Sequence, residues 1–272
     1  MTVDSTIDMP TFRKFAGLIY AQAGIKLGPC KRALVCARVA KRMRRLGIQK
    51  HRDYLRVVEE DETGTEAVEL LNAISTNVTQ FFREERHFGL LDGFLKRWEA
   101  EGQSRFRIWC AACATGEEPY SVAIAVSEAL ASTYDARILA TDLSTQALAR
   151  AREGAYEPRY VEHVPRVLLR KYFDRRNGGG EAHYLANDKL RRMITFGRIN
   201  LAKPPFPLRG PLDVIFCRNV MIYFDNDVRK RLLADMYRLL KPGGYLMVGH
   251  AESLSGMLSD FKSVEPSVYV KM

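Results

Sequence analysis

The stretch CAACATGEEPYS (residues 110–121) contains a Cys-x-x-Cys spacing, which occurs in redox-active dithiols and in zinc sites. A reactive thiol needs a lowered pKa, whereas the carboxylates of Glu117 and Glu118 beside this pair would raise it. A tetrahedral zinc site would need a second pair of ligands, and the chain has no other CxxC or CxH spacing. We therefore expect no redox chemistry here and no bound metal.

The same stretch also fits a loop that binds a nucleotide-type cofactor. Ala112, Ala114 and Gly116 occupy the three positions of a G-x-G-x-G frame, in which small residues let the backbone approach the ligand. Alanine adds one methyl group, which a nucleoside without a pyrophosphate tolerates better than NAD would. Asp142 ends the next predicted strand, where an acidic side chain usually binds ribose hydroxyls. Asp142 could alternatively cap the following helix, and the two roles are compatible.

Two further segments carry polar residues that could complete such a site. Arg218 and Asn219 follow a predicted strand, on the side where open α/β sheets bind ligands. Tyr223 comes a few residues later, in a loop that could overhang this crevice. The segment NAISTNVTQFFREERHF (72–88) has an unusual density of hydrogen-bonding side chains for a linker, namely Thr76, Asn77, Thr79 and Arg83.

The elements that must position these residues follow from the hydrophobic pattern. From about residue 105 onward, strand-like runs alternate with helical patterns, which favours the α/β class with a mostly parallel sheet covered by helices. Residues 155–198 interrupt this alternation, and RRNGGGEAHYL within them predicts a hairpin in a small antiparallel insert. Residues 10–72 show helical spacing instead.

One predicted helix, CKRALVCARVAKRMRRLG (30–47), has two distinct faces. Its apolar stripe consists of Val35, Val39, Met43 and Leu46. Its basic stripe consists of Arg38, Lys41, Arg42 and Arg45. We expect this helix to pack through its apolar face and to present its cations to a partner.

Charge and composition narrow the class of protein. Net charge is +10, and residues 1–60 contain 13 Lys/Arg against 5 Asp/Glu, while residues 155–198 contain 10 against 5. Such local basic surface suggests an acidic partner, although a solubilising face is the simpler alternative. Five scattered cysteines indicate a cytosolic protein rather than a disulfide framework. No apolar run approaches the roughly 18–20 residues of a membrane span, and no export signal is recognisable, so we expect a cytoplasmic protein.

Taken in order along the chain, these motifs resemble the CheR family. Its members are S-adenosylmethionine-dependent methyltransferases that esterify glutamates on bacterial chemoreceptors. The resemblance covers nearly the whole chain and is carried by TNVTQFFRE (76–84), WCAACATGEEPYS (109–121), ATDLSTQALARAREGAY (140–156), INL (199–201), DVIFCRNVMIYFD (213–225) and LLKPGGYLMVGHAESL (239–254). Ala114 departs from the family, which commonly has serine there.

The resemblance implies a small all-helical N-terminal domain in residues 1–75. It implies a Rossmann-like S-adenosylmethionine methyltransferase sheet in residues 76–272, with a small antiparallel β insert at about 157–198. The implied cofactor is S-adenosylmethionine, with S-adenosylhomocysteine as its product. The implied cofactor contacts are Asn77, Thr79, Arg83, Ala112, Gly116, Glu117, Asp142, Asn200, Leu201, Arg218 and Asn219.

The resemblance also assigns roles within this set. Glu117 would hold the methionine end of the cofactor, and Asp142 would bind the ribose hydroxyls. The Asn200-Leu201 pair would frame the adenine. Arg83 and Tyr223 would stand nearest the transferring methyl group, as the catalytic residues.

The implied partner is the cytoplasmic helical region of chemoreceptors, whose acidic side chains the basic stripe would contact. In part of the family the insert also binds a receptor's C-terminal tail, which stays open here. We expect no nucleic-acid substrate, because the loop RNVMIYF lacks the prolines of enzymes that methylate base amines, and no insertion into a membrane. A non-catalytic module that binds S-adenosylmethionine is the remaining alternative. His250 is interpreted as an ordinary core residue.

Overall fold

The computed structural model describes residues 3–131, 133–177, 182–254 and 260–272. The chain begins with four helices, α1 (Met9–Ala23), α2 (Arg32–Leu46), α3 (His51–Glu60) and α4 (Thr65–Ile74). Helix α1 begins where the Asp8 carboxylate accepts a 2.7 Å hydrogen bond from the backbone N–H of Thr11. It ends at Gly24, whose φ of 67° lies in the left-handed region that favours glycine.

The four helices enclose a core of their own. Val35, Val39 and Met43 of α2 are fully buried in it, as the helical periodicity predicts. The predicted fourth member of this stripe, Leu46, is 40% exposed. The buried face of α2 is therefore one turn shorter than the sequence pattern suggested, and it ends before Gly47.

The rest of the described chain is built on two sheets. A small antiparallel sheet contains β3 (Ala155–Tyr156), β4 (Phe173–Asn177) and β5 (Ala182–Ala186), in the order β3-β5-β4. The large sheet contains β1 (Arg105–Cys110), β2 (Asp135–Asp142), β6 (Ile194–Arg198), β7 (Leu212–Cys217), β8 (Leu240–Val248), β9 (Phe261–Glu265) and β10 (Val268–Lys271). The glycines that predicted a hairpin, residues 178–180, lie outside the described residues, but β4 and β5 pair antiparallel as that hairpin requires.

The large sheet has the strand order β6-β2-β1-β7-β8-β10-β9. The first five strands in this order run parallel, and β10 pairs antiparallel with both β8 and β9. The chain leaves β1 toward β2 on one side and leaves β7 toward β8 on the other, so the loops after β1 and β7 diverge around a crevice at the carboxyl ends of the strands. Ligands bind at this kind of switch point in open α/β sheets.

Helices cover both faces of the large sheet. They are α5 (Arg86–Ala100), α6 (Glu117–Ala129), α7 (Thr145–Glu153), α9 (Asp188–Met193) and α10 (Asn226–Leu239), whereas α8 (Arg166–Tyr172) packs against β4 of the small sheet. In β7, Val214 and Phe216 belong to one core, whereas Ile215 and Cys217 belong to the other. Both faces are thus buried, which explains why the four residues from Val214 to Cys217 are all apolar.

The helical N-terminal part contacts the large sheet through a few specific bonds. The Tyr20 hydroxyl donates a 2.5 Å hydrogen bond to Asp225, and the Lys26 backbone N–H donates to the Tyr223 carbonyl over 2.9 Å. On the other side, Asn72 of α4 bonds to Ser144 at the start of α7. These contacts lie at the carboxyl edge of the sheet, next to the crevice.

No helix within the described ranges is both long enough and apolar enough to cross a bilayer.

Candidate cofactor site

A cleft opens at the carboxyl ends of β1, β2 and β7. Together with the solvent space at its mouth, it encloses about 890 Å³. The segment that links α4 to α5, residues 75–83, lies over the cleft, and the end of α1 contributes Ala23 and Ile25. Neither of these two α1-side residues was predicted from the sequence.

The cleft brings together all but two of the residues predicted for the site. Its lining includes Asn77, Thr79, Arg83, Ala112, Asp142, Asn200, Leu201, Arg218, Asn219 and Tyr223. Gly116 and Glu117 are not among the lining residues. Glu117 is buried beneath the loop and accepts a 2.7 Å hydrogen bond from the Thr115 hydroxyl, whereas the next residue, Glu118, lines the cleft.

The small residues after β1 are required by the path of the backbone. Gly116 has a φ of 102°, and a Cβ there would lie 2.7 Å from the Tyr156 hydroxyl oxygen and 3.0 Å from Ala151. Gly116 therefore shapes the turn without touching the cleft. Ala114 adopts a φ of 45°, and its backbone N–H donates a 2.9 Å hydrogen bond to Asp142.

Asp142 is held by backbone donors on both of its oxygens. The N–H of Ala114 reaches Oδ2 and the N–H of Ser144 reaches Oδ1, each over 2.9 Å. Burial raises the pKa of Asp142, although these backbone donors oppose the rise. The cap of α7 is Ser144, not Asp142, so the alternative capping role does not apply. Each carboxylate oxygen keeps a second lone pair for a further donor.

The buried state of the cysteines excludes the redox alternative for the CxxC stretch. Cys110 and Cys113 are fully buried free thiols. Burial raises the pKa of both thiols well above the usual value, and nearby carboxylates add to the rise. Both residues are protonated thiols at neutral pH and pack in the core as small apolar side chains.

A buried network of charges forms the inner wall of the cleft. Arg218 is only 5% exposed, and it donates to Glu118 over 3.2 Å, to Glu84 over 3.0 Å and to the backbone carbonyl of Arg83. Burial raises the pKa of Glu118 to about 7, and the adjacent Arg218 charge limits the rise. The Oε1 atom of Glu118 is buried without a hydrogen-bond partner. One acceptor on this wall is therefore left for a donor from a ligand.

A second buried carboxylate fixes the loop that carries Tyr223. Glu252 is 5% exposed and accepts backbone N–H bonds of 2.7 Å from each of Asn219, Met221 and Gly249. The sequence motif contained Glu252, but its spacing gave no sign that it would meet the loop after β7. Four non-glycine residues with positive φ lie in the segments around the cleft, namely Phe82, Glu84, Ala114 and Asn219. Backbone strain of this kind is commonly retained at functional sites.

Comparison with known proteins identifies the family. The model of the CheR methyltransferase SAM-binding domain matches residues 77–270, and that of the CheR all-alpha domain matches residues 10–75. The chain belongs to the CheR methyltransferase family.

Curated relatives agree with this assignment to the CheR family. The chemotaxis protein methyltransferase of Salmonella typhimurium is 37% identical over 95% of this chain and 88% of its own length. The chemotaxis protein methyltransferase of Escherichia coli is 36% identical over 95% of this chain and 89% of its own length. Among solved structures, magnesium protoporphyrin IX methyltransferase from Synechocystis with bound SAM matches with a TM-score of 0.38 and 14% identity, over 81% of this chain and 90% of that one.

The CheR-family chain is an S-adenosylmethionine-dependent methyltransferase, and its cleft fits that cofactor. Asp142 offers carboxylate oxygens at the end of β2, where ribose hydroxyls bind in related sheets. The unpartnered Oε1 of Glu118 suits an ammonium group such as that of the methionine end. The Asn200 side chain, in contrast, donates to the Gln22 carbonyl over 2.6 Å and accepts from Ala202, so it ties α1 to the site.

In the basic stripe of α2, two cations are paired within the protein and two are exposed. Arg42 donates bidentately to Glu66, at 2.9 and 2.6 Å, and Tyr54 donates to the same carboxylate over 2.8 Å. Arg38 donates to the carbonyls of Ile74 and Ser75 and to the Thr76 hydroxyl. Lys41 and Arg45 are exposed, whereas Arg38 and Arg42 are half-buried. Docking of a partner on all four cations stays a prediction, and Lys41 and Arg45 are its most accessible members.

Proposed function

We propose that this CheR-family enzyme transfers the methyl group of S-adenosylmethionine to glutamate side chains of chemoreceptors and forms methyl esters. The curated relatives are named chemotaxis protein methyltransferases, which supports the proposal. We assign residues 1–75 to a docking domain and residues 76–272 to the transferase domain, with the insert at about 157–198. We place the enzyme in the cytoplasm, where the helical region of such receptors lies.

The observation that carries the proposal is the Arg83 guanidinium in the cleft lining, which also includes Tyr223. This guanidinium donates to the carbonyl of Val78 over 3.2 Å, which leaves further donors for an acceptor. The lining residues include no histidine or lysine, and we assign the lining carboxylates, Glu118 and Asp142, to the cofactor rather than to proton transfer. A glutamate carboxylate has a reference pKa near 4.3, so it arrives ionised and needs no base. The cleft thus suits an anionic acceptor better than an amine or a hydroxyl.

The chain's contribution to the reaction is alignment. The bound cofactor supplies an activated methyl group on a sulfonium. Arg83 orients the incoming carboxylate, and Tyr223 restricts the space beside it. Correct alignment of two reactants contributes on the order of 7–11 kcal/mol to a rate. We assign Glu118, rather than Glu117, to the methionine end, because Glu118 lines the cleft with a free acceptor.

Cofactor contacts are further proposed for Asn77, Thr79, Ala112, Asp142, Leu201 and Asn219, which all line the cleft. Receptor docking is assigned to the exposed cations Lys41 and Arg45 of α2, because an acidic helix would complement their charge.

The β insert offers an additional surface for contact with the receptor. Strand β4 is an outer strand of the small sheet, with Arg175 and Arg176 exposed, so an extended receptor tail with acidic residues could pair with it.

The function is tested by transfer of a tritiated methyl group to membranes that contain a chemoreceptor. We expect time-dependent labelling that mild base removes as methanol, because esters hydrolyse under those conditions whereas N-methyl groups do not. A receptor whose acceptor glutamates are replaced by glutamine and alanine serves as the control and should take up no label. Base-stable label, or equal labelling of the control receptor, would exclude the proposed reaction.

The role of Arg83 is tested by Arg83→Ala, with Arg86→Ala as a matched control. Arg86 lies three residues away and pairs with Glu265 on the surface, outside the cleft. We expect Arg83→Ala to lower kcat by at least about 100-fold, since it removes an orienting charge, with little change in the affinity for S-adenosylhomocysteine. Arg86→Ala should retain the wild-type kcat. Wild-type turnover in Arg83→Ala would remove Arg83 from the catalytic set.

A further inference from the structure

Three potential metal ligands meet beside Arg218, behind the inner wall of the cleft, and none of them is among the cleft-lining residues. Glu84, His87 and His250 each offer one ligand atom, and these atoms lie within 4.8 Å of one another. They come from the segment before α5, from α5 itself and from the loop after β8. We propose that this Glu-His-His cluster is a binding site for a borderline divalent transition metal, with Zn²⁺ as its best probe.

The geometry of the cluster matches the spacing of metal ligands better than that of a hydrogen bond. Nδ1 of His87 lies 3.5 Å from Oε2 of Glu84, too far for a good hydrogen bond. Two ligands placed about 2.0–2.2 Å from a tetrahedral zinc ion lie about 3.4 Å apart. The rings of His87 and His250 approach within 5.4 Å at an angle of 74°, so both imidazoles flank the same space.

His87 lacks the hydrogen bonds that a buried imidazole normally makes. It is 1% exposed, and neither ring nitrogen has a hydrogen-bond partner among the described residues. Both ring nitrogens are thus left without a hydrogen-bond partner in the described part of the protein, and imidazole nitrogens are common ligands of divalent metals.

The neighbouring Arg218 does not remove the carboxylate from the site. Oε2 of Glu84 accepts from Arg218 at 3.0 and 3.2 Å, and Oε1 accepts the backbone N–H of His250 at 3.1 Å. Oε2 is filled by the two bonds from Arg218, so a metal held by Oε2 would take the place of the longer one, the 3.2 Å bond from Nε. Arg218 is itself paired with Glu118, which reduces its repulsion of a cation. His250 is exposed, contrary to its interpretation as a core residue, and it provides an entry route and room for solvent ligands.

Metal binding at this site is expected to change the affinity of the cleft for its cofactor. Arg218 lines the cleft and shares Glu84 with the cluster, so a metal there adds positive charge directly behind the cleft wall. S-Adenosylmethionine carries a sulfonium charge that S-adenosylhomocysteine lacks. Zinc should therefore weaken the affinity for S-adenosylmethionine more than that for S-adenosylhomocysteine. This second effect rests on the proposed placement of the cofactor, whereas metal binding itself does not.

The test is calorimetric titration of Zn²⁺ into the untagged chain, without cofactor, for wild type, His250→Ala and His163→Ala. His163 is an exposed histidine outside the cluster and serves as the matched control. We expect one saturable equivalent in wild type and His163→Ala, and at least tenfold weaker binding in His250→Ala. Because His250 is exposed, its replacement should leave the fold intact. His87→Gln, checked by circular dichroism, should lose binding as well.

The absorption spectrum of bound Co²⁺ distinguishes ligation by this cluster from ligation by cysteine thiolates. Co²⁺ bound by nitrogen and oxygen ligands gives visible d–d bands without a near-ultraviolet thiolate band, and we expect that spectrum. The proposal is overturned if wild type shows no saturable zinc binding, if His250→Ala binds as tightly as His163→Ala, or if the cobalt spectrum shows thiolate ligation. None of these results bears on methyl transfer, so they leave the proposed function untouched.

Discussion

At the scale of single residues, the role that we propose for Glu118 links the protonation state of the protein to cofactor binding. Its pKa is raised to about 7 from a usual value of 4.5, because the carboxylate is buried. Between these two values the folded protein holds a proton that the unfolded chain releases, so this residue's contribution to stability falls as pH rises. An ammonium group placed beside Glu118 would reverse this preference and favour the ionised form.

This reasoning predicts a pH dependence of cofactor affinity. We expect the affinity for S-adenosylmethionine to increase as pH rises from about 6 to 8, because Glu118 must lose its proton to pair with the ammonium of the ligand. Calorimetry in buffers of different ionisation enthalpy should show proton release near pH 6.5. Glu118→Gln should flatten the pH profile and weaken binding. The assignment fails if the Gln variant keeps the wild-type profile.

Glu252 has a structural role at the same scale. Its carboxylate satisfies backbone N–H groups of two loops that meet above the sheet, at Asn219, Met221, Ile222 and Gly249. We expect Glu252→Ala to lower the free energy of unfolding by at least about 2 kcal/mol, since several buried donors lose their partner. Chemical denaturation measures this effect, with the exposed Glu162→Ala as control at less than about 0.5 kcal/mol. Equal stability of the two variants would contradict the role.

At the scale of secondary-structure elements, helix α2 couples the docking surface to the cofactor cleft. Its residue Arg38 holds the carbonyls of Ile74 and Ser75 and the hydroxyl of Thr76, where the segment over the cleft begins. The neighbouring Lys41 is exposed and is not among the cleft-lining residues. Two cations on one helix face thus have different environments, although the sequence pattern treats them alike.

The different environments of Arg38 and Lys41 predict different effects of their replacement on cofactor affinity. We expect Arg38→Ala to weaken S-adenosylhomocysteine binding by about three- to tenfold, because the segment over the cleft loses its anchor. Lys41→Ala should leave that affinity unchanged and should slow receptor methylation, most strongly at low ionic strength. Identical cofactor affinity in the two variants would show that Arg38 does not position the segment.

The elements themselves were largely predictable, because their signals are local. Asp225 and Ser144 cap helices, and Gly24 and Gly154 end helices in the left-handed region, as these residue types favour. The pairing of Arg42 with Glu66 was not predictable, because it depends on how α2 packs against α4. Periodicity indicates which face of a helix is polar, but it does not tell whether that face meets solvent or another polar element.

At the scale of the whole molecule, the cleft is assembled from segments that are far apart in the chain. The loops after β1, β2 and β7 meet because parallel strands end at the same edge of the sheet, and this much follows from the fold class. The contribution of Ala23 and Ile25 could not be foreseen, since it depends on how the helical part sits on the sheet. The same holds for Glu84, His87 and His250, which have no common sequence motif.

The central claim is that this cleft binds S-adenosylmethionine through Asp142, and calorimetric titration with S-adenosylhomocysteine tests it most directly. Wild type, Asp142→Ala and the surface control Asp92→Ala, which removes a partner of Lys96, should be compared. We predict saturable one-to-one binding in wild type and Asp92→Ala, and at least tenfold weaker binding in Asp142→Ala, which corresponds to about 1.4 kcal/mol or more. Absence of saturable binding in wild type, or equal affinity in all three proteins, would contradict the account.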